Sequence, residues 1–253
     1  QRVDNALLRL HDQFAERAYG PLFGALQNRY QHTARMGVNR LLSKELKGLG
    51  TAEREAIEAA YKLAALGKEA LPLVAKKLEN TSESTRRHAA YALSAIGESA
   101  VPTLTDLLTH TNAATRAITA EILGDIGLSA APAINALITA TTDSEIEVRR
   151  HASIALGTVC QTAPTAVPAL IKALTDVDDS VRRAAVFSLA LLAPYASDAT
   201  EALVQVLDDK DRYVRGDALC ALERIGTTKA KDALIRNLKP ARWCPLTTQE
   251  SQF

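Results

Sequence analysis

Tryptophan and methionine each occur once in this chain, cysteine three times, and aromatics make up only 4% of it. Any core must therefore be built from aliphatic side chains, and alanine and leucine, which dominate the chain, suit close contact between helices. Cys160, Cys220 and Cys244 stand at unrelated spacings. They form neither a disulfide framework nor a C-x-x-C metal knuckle, so a reducing, cytoplasmic setting is the simplest expectation. No histidine is followed by glutamate, and H-E-x-x-H, a Gly-rich phosphate loop and a G-x-S-x-G elbow are all missing. Nothing marks a catalytic or metal site. The formal net charge of +1 argues against a general nucleic-acid binder or membrane-surface binder. No apolar run is expected to reach transmembrane length. The sequence starts at Gln1 and shows no signal peptide, which suggests a trimmed chain or the C-terminal part of a longer one.

What is present is a period. Arg86, Arg116, Arg149, Arg182 and Arg215 are separated by 30, 33, 33 and 33 residues. Each opens a segment close to R-x-x-A-x-x-x-L-x-x-I-G, as in residues 85–97 and 214–226. A period in the low thirties that carries a helical pattern means stacked two-helix units sharing one core. The apolar fraction of 47% is ample for that core. The predicted fold is all-α: a right-handed α-solenoid of about six two-helix repeats with an N-terminal helical cap.

Each unit divides into two helices. The first follows a proline (Pro72, Pro102, Pro132 or Pro168), which costs nothing at an opening turn. A polar turn leads to the second helix, which starts near the arginine and stops at Gly97, Gly127 or Gly226. Cys160 and Ala193 take the glycine position in the other two units, so those ends must turn differently. The units fall at 38–67, 68–97, 98–127, 128–160, 161–193 and 194–226, the first being degenerate with Ala56 in the arginine position. A half-repeat at 229–238 caps the stack and ends at Pro240. The expected division is a cap or docking segment at 1–37, a solenoid at 38–239 and a tail at 240–253. Residues 1–50 carry eight Lys/Arg against four Asp/Glu, and the first 37 hold Phe14, Tyr19, Phe23 and Tyr30. Trp243 is expected to tuck against the last helices. Cys244 beside it is the one candidate for an exposed reactive thiol, although an incidental thiol is the preferred reading.

The five arginines read as a structural ladder. Asp143, Asp176 and Asp209 stand six residues before Arg149, Arg182 and Arg215. That places carboxylates in the turns and guanidiniums at the helix starts, so bidentate pairs can stitch turns along the stack. Asn80 and His110 replace the aspartate earlier, where the ladder should be weaker. Counted from the arginine, positions 3, 7 and 10 are small or aliphatic and mark the buried face. Position 1 holds Arg87, Ala117, Arg150, Arg183 and Gly216, and position 5 holds Tyr91, Glu121, Ile154, Phe187 and Cys220. An outward face should be polar. Arg87, Tyr91, Arg150, Ile154, Arg183 and Phe187 instead combine arginine with large apolar residues, the composition of binding hot spots. They are the candidate partner-binding residues of a concave groove, with packing between successive helices as the alternative. His88 and His151 take equivalent positions two units apart, too distant to share a metal.

The D-x-D-x-x-V-R turn within 174–189 and the A-x-x-A-L-x-x-I-G helix close resemble HEAT repeats, nearest the short variety named for the phycobilisome lyases. The resemblance covers roughly 50–240. It implies the fold; the groove residues and the lack of catalytic motifs make a non-catalytic scaffold or adaptor that binds a protein partner and needs no cofactor the expected function. A second implication is a bilin lyase subunit, or a chaperone-like factor for phycobiliprotein assembly or degradation, with a linear tetrapyrrole as ligand and a phycobiliprotein as partner. On that reading the arginines and aromatics of the groove would suit a flat, propionate-bearing molecule, although the aromatic-rich stretch associated with the lyase subunits is missing. If the chain is an enzyme, it is of that lyase type. A third expectation, from the missing start methionine and the distinct first 37 residues, is the C-terminal repeat region of a larger enzyme. The HEAT-like deoxyhypusine hydroxylases use paired His-Glu iron ligands, which this chain lacks. The HEAT-like DNA glycosylases use a basic groove, which the slightly acidic repeats do not offer.

Overall fold

The computed structural model describes residues 70–161 and 164–241. The expected cap at 1–37, the degenerate first unit, Trp243, Cys244 and the rest of the tail lie outside the described residues. Helices alternate short and long: α1 Leu71–Lys76, α2 Glu83–Ile96, α3 Val101–Leu107, α4 Ala113–Ile126, α5 Ile134–Ala140, α6 Ile146–Val159, α7 Val167–Ala173, α8 Asp179–Leu191, α9 Thr200–Val206, α10 Arg212–Ile225 and α11 Thr228–Ala241. No strand occurs among the described residues. The architecture is an α-solenoid of two-helix repeats. The described residues divide into two compact units, the first ending at Val159 and the second beginning at Cys160.

In the first unit α2, α4 and α6 pack in succession, each backed by its own short helix. Leu93, Leu104, Leu123, Leu137 and Leu156 are fully buried between them. In the second, α8 packs on α10 and α10 on α11, around Leu170, Leu189, Leu203 and Leu222. Each such leucine contributes about 2 kcal/mol of burial. Gly124 lets α4 and α6 approach closely, for a Cβ there would lie 3.1 Å from Ala155 Cα. Thr158 Oγ1 donates across the same seam to the Gly124 carbonyl at 2.9 Å.

The ends of the helices follow from their residues. Side chains of Ser82, Asn112, Asp178 and Asp211 cap α2, α4, α8 and α10 by accepting first-turn N–H groups. Gly97, Gly127 and Gly226 close α2, α4 and α10 at φ of 70°, 65° and 65°. The end of α8 does turn differently: Leu192 stays at φ −84° and the chain runs on into a 3-10 turn, Ala193–Tyr195. Pro72, Pro102 and Pro168 sit in the first turns of α1, α3 and α7. Pro132 departs from this pattern, lying inside the 3-10 segment Gly127–Ala133, so α5 begins only at Ile134. Likewise α11 extends to Ala241, just past the proline expected to stop it.

One expectation needs correcting. The stretch 113–140, 28 residues, is long and apolar enough to cross a membrane by length and composition. It comprises α4, the 3-10 segment and α5, and its Leu123, Ile126 and Leu137 are core residues. Apolar residues facing one core in two successive helices add up to the same average as a spanning segment.

Candidate partner-binding face

The ladder arginines begin the long helices and point back into the turns. Arg86, Arg116, Arg149, Arg182 and Arg215 each donate from Nη1 to the carbonyl six residues earlier, at 2.6 to 3.0 Å. The side chain at that sixth residue in turn accepts the N–H two positions on. Asn80, His110, Asp143, Asp176 and Asp209 all do this. The carboxylates serve a second purpose. Arg116 forms a bidentate pair with Asp143, 27 residues on, at 2.7 and 2.8 Å. Arg182 does the same with Asp209. The stitching therefore joins an arginine to the turn of the following repeat. Each pair holds its aspartate below the usual carboxylate range and raises its arginine, chiefly through the hydrogen bonds between them.

The opposite side of the long helices is solvent-facing. At position 5, Tyr91, Glu121, Phe187 and Cys220 are exposed and Ile154 is half-buried. Tyr91 is 39% exposed and Phe187 43%. At position 1, Arg87 and Arg183 are exposed and Arg150 is half-buried.

In the first unit this side carries a charge network. Arg87 pairs with Glu83 at 2.7 Å, one turn back on α2. Arg150 pairs with Glu147 on α6 and also reaches the His151 ring. Glu121 of α4 stands close enough to act electrostatically on both Arg87 and His151. Asp125, one turn further along α4, accepts from Ser94 Oγ of α2 at 3.4 Å. Burial, reinforced by Glu121, pushes the Asp125 carboxyl up to about 6.

In the second unit Arg183 pairs with Asp217 of α10 at 2.8 Å. Its guanidinium also lies over the Tyr213 ring, 5.3 Å from the centroid, and Arg212 covers the same ring at 4.6 Å. Of the six residues expected to bind a partner, Arg87, Tyr91, Arg150 and Ile154 thus belong to the first unit and Arg183 and Phe187 to the second.

Sequence reasoning did not single out Asp125, Asp217 or Tyr213. Asp217 had a visible signal, since it stands 34 residues after Arg183, about one repeat. No group of three or more metal-ligating side chains exists among the described residues. Cys160 is buried and its thiol is pushed up by that burial, which leaves it inert, whereas Cys220 is exposed on the outward side.

A family model described as HEAT repeats matches residues 42–114, 101–190 and 167–243. No curated protein matches the sequence. Among solved structures, the complex of CpcE and CpcF of phycocyanin lyase from Nostoc sp. PCC7120 is 26% identical, with a TM-score of 0.56 over 60% of this chain and 98% of that one. YibA of Escherichia coli is 22% identical, with a TM-score of 0.55 over 72% and 68%. A designed armadillo repeat protein in complex with a (KR)4 peptide is 19% identical, with a TM-score of 0.50 over 73% and 98%.

Proposed function

The chain belongs to the HEAT-repeat family, and from that premise we propose that it is a non-catalytic cytoplasmic scaffold that binds a protein partner through the outward side of its long helices. The observation that carries this reading is the exposure of Tyr91 and Phe187 beside arginines, on helix faces where a polar surface is the default. Side chains that keep large apolar area in water gain most from a partner that covers them. Arg87, Arg150 and Arg183 are each paired with a carboxylate in their own helix or one repeat away. Ile154 adds a half-buried apolar flank. No nucleic acid and no membrane insertion enter this reading.

An affinity capture from lysate of the source organism tests it, with the wild type beside the Arg150→Ala/Phe187→Ala double variant. A protein held only by the wild type supports the scaffold. Equal capture by both baits removes this face as the site.

A second reading is a lyase subunit or chaperone-like factor for phycobiliproteins. It is favoured by the 26% identity to the CpcE and CpcF complex, whose chain is covered over 98% of its length. Its ligand is a linear tetrapyrrole, and adding one to the protein should shift the visible absorption band. An unshifted spectrum ends that reading and leaves the scaffold standing.

A further inference from the structure

Three side chains within one turn of α6 share a single cluster of hydrogen bonds. Arg150 Nη2 donates to Glu147 Oε2 at 2.5 Å, and Arg150 Nε reaches the same oxygen at 3.1 Å. Arg150 Nη2 also lies 2.7 Å from His151 Nε2. A guanidinium has donors only, so a contact this short needs a bare ring nitrogen. His151 is therefore neutral here, with its proton on Nδ1. A proton added at Nε2 would bring two donors face to face. The acceptor then nearest to hand is Glu147 Oε2, 3.6 Å from Nε2, the oxygen that Arg150 already occupies.

We propose that His151 is a proton-operated latch on Arg150. The neutral imidazole and Glu147 hold the guanidinium down along α6, and protonation transfers Glu147 to the imidazolium and frees Arg150 to project outward. The inference deepens the docking reading above and rests on it, because Arg150 is one of the contacts assigned to the partner.

The chain contains its own comparison. Arg87 and His88 repeat the Arg-His pair at the same positions of α2, but there the acid is Glu83, four residues before the arginine instead of three. Arg87 pairs with that acid directly, and its side chain is 60% exposed against 29% for Arg150. One residue of difference in the acid's placement separates a half-buried arginine that also reaches its histidine from an exposed one paired with its acid.

The groups facing His151 set the direction. Burial and Arg150 disfavour the imidazolium, whereas Glu121 from α4 and Glu147 from α6 favour it. The net effect lowers the proton affinity of His151 below that of an ordinary histidine. The latch is thus shut near neutrality and opens in acid.

The test is a pH titration of the intact chain between about pH 8 and pH 5, following imidazole nitrogens and arginine Nε–H signals by NMR. His151 should show the Nδ1–H tautomer at the alkaline end. The Arg150 Nε–H signal should move with the same midpoint as His151, while the Arg87 signal stays flat. Asp125 titrates in the same window, so the His151→Gln variant, checked for unchanged circular dichroism, separates the two: its Arg150 signal should stay flat. An Nε2–H tautomer, an Arg150 signal indifferent to His151 or one still titrating in His151→Gln overturns the latch. None of these readouts needs a partner, so a working latch on a protein that captures nothing would overturn the docking reading alone.

Discussion

Arg182 Nε and Nη2 meet both carboxylate oxygens of Asp209, one repeat away, at 2.7 and 2.9 Å, and both side chains are almost fully enclosed. The third donor, Nη1, reaches back to the Asp176 carbonyl at 3.0 Å. One guanidinium thus ties two successive turns of the second unit together. Removing either partner leaves the other charge enclosed and unpaired. Asp209→Asn should therefore cost about 3 kcal/mol, read as the shift in a urea unfolding midpoint. Arg215→Ala, at an arginine that only reads carbonyls among the described partners, should cost less.

The same pairs set the response to acid. Asp143 and Asp209 have lowered proton affinity in the folded state. Their stabilisation is complete above the unfolded carboxylate pKa of about 4 and is lost as pH falls through the lower folded value. Melting temperature should fall between about pH 4 and pH 2, and the fall should be smaller in a variant with Arg116 and Asp143 both replaced by apolar residues. An equal fall in that variant would mean that other carboxylates control acid unfolding.

Asp125 should behave in the opposite sense. Its folded pKa of about 6 is raised, so the carboxylate is a penalty that sets in as pH rises from its unfolded value through 6. Asp125→Asn should stabilise the protein by about 2 kcal/mol at pH 7.5 and hardly at all at pH 4. Chemical denaturation at both values checks this, and a variant less stable at pH 7.5 would show that the Ser94 bond outweighs desolvation.

These cases mark how much was legible in the chain. The arginines recur once per repeat, and the opening prolines and terminal glycines are local signals within each helix; together they yielded the repeat. The partner of Arg116 is Asp143, 27 residues on, and no local pattern states that distance. It follows from how far one repeat is displaced on the next. The exposed face was readable from position 5 because solvent-facing positions recur with the helix period. Asp125 was not, since its unusual proton affinity comes from burial between α2 and α4, and burial at the edge of a face is not encoded by residue type.

Glycine at the ends of the long helices offers a stringent check on the repeat geometry. Gly97 and Gly127 adopt φ of 70° and 65° with ψ of −136° and −137°, a region essentially closed to side chains. Gly97→Ala should lower stability by about 1–3 kcal/mol without touching any partner contact. A thermal melt beside a binding measurement would show the two separated. The tail of α8 shows what the chain does where glycine is missing: it stays at negative φ and passes through further 3-10 turns before α9.

Tyr91 and Phe187 occupy the same position in different units, and both are more exposed than their size favours. If a partner covers them, Phe187→Ala combined with Arg150→Ala should weaken binding by about 1–3 kcal/mol, a loss of roughly ten- to a hundredfold in Kd, while the melt stays where it was. Phe187 is a sharper probe than Tyr213. Among the described residues no cation covers the Phe187 ring, whereas Tyr213 on the same unit is already covered by Arg183 and Arg212. Tyr213→Ala should therefore cost stability, through the loss of both guanidinium stacks, and Phe187→Ala affinity alone. Calorimetric titration of the captured partner against the two single variants, beside their melts, distinguishes a ring held for the fold from a ring left open for contact.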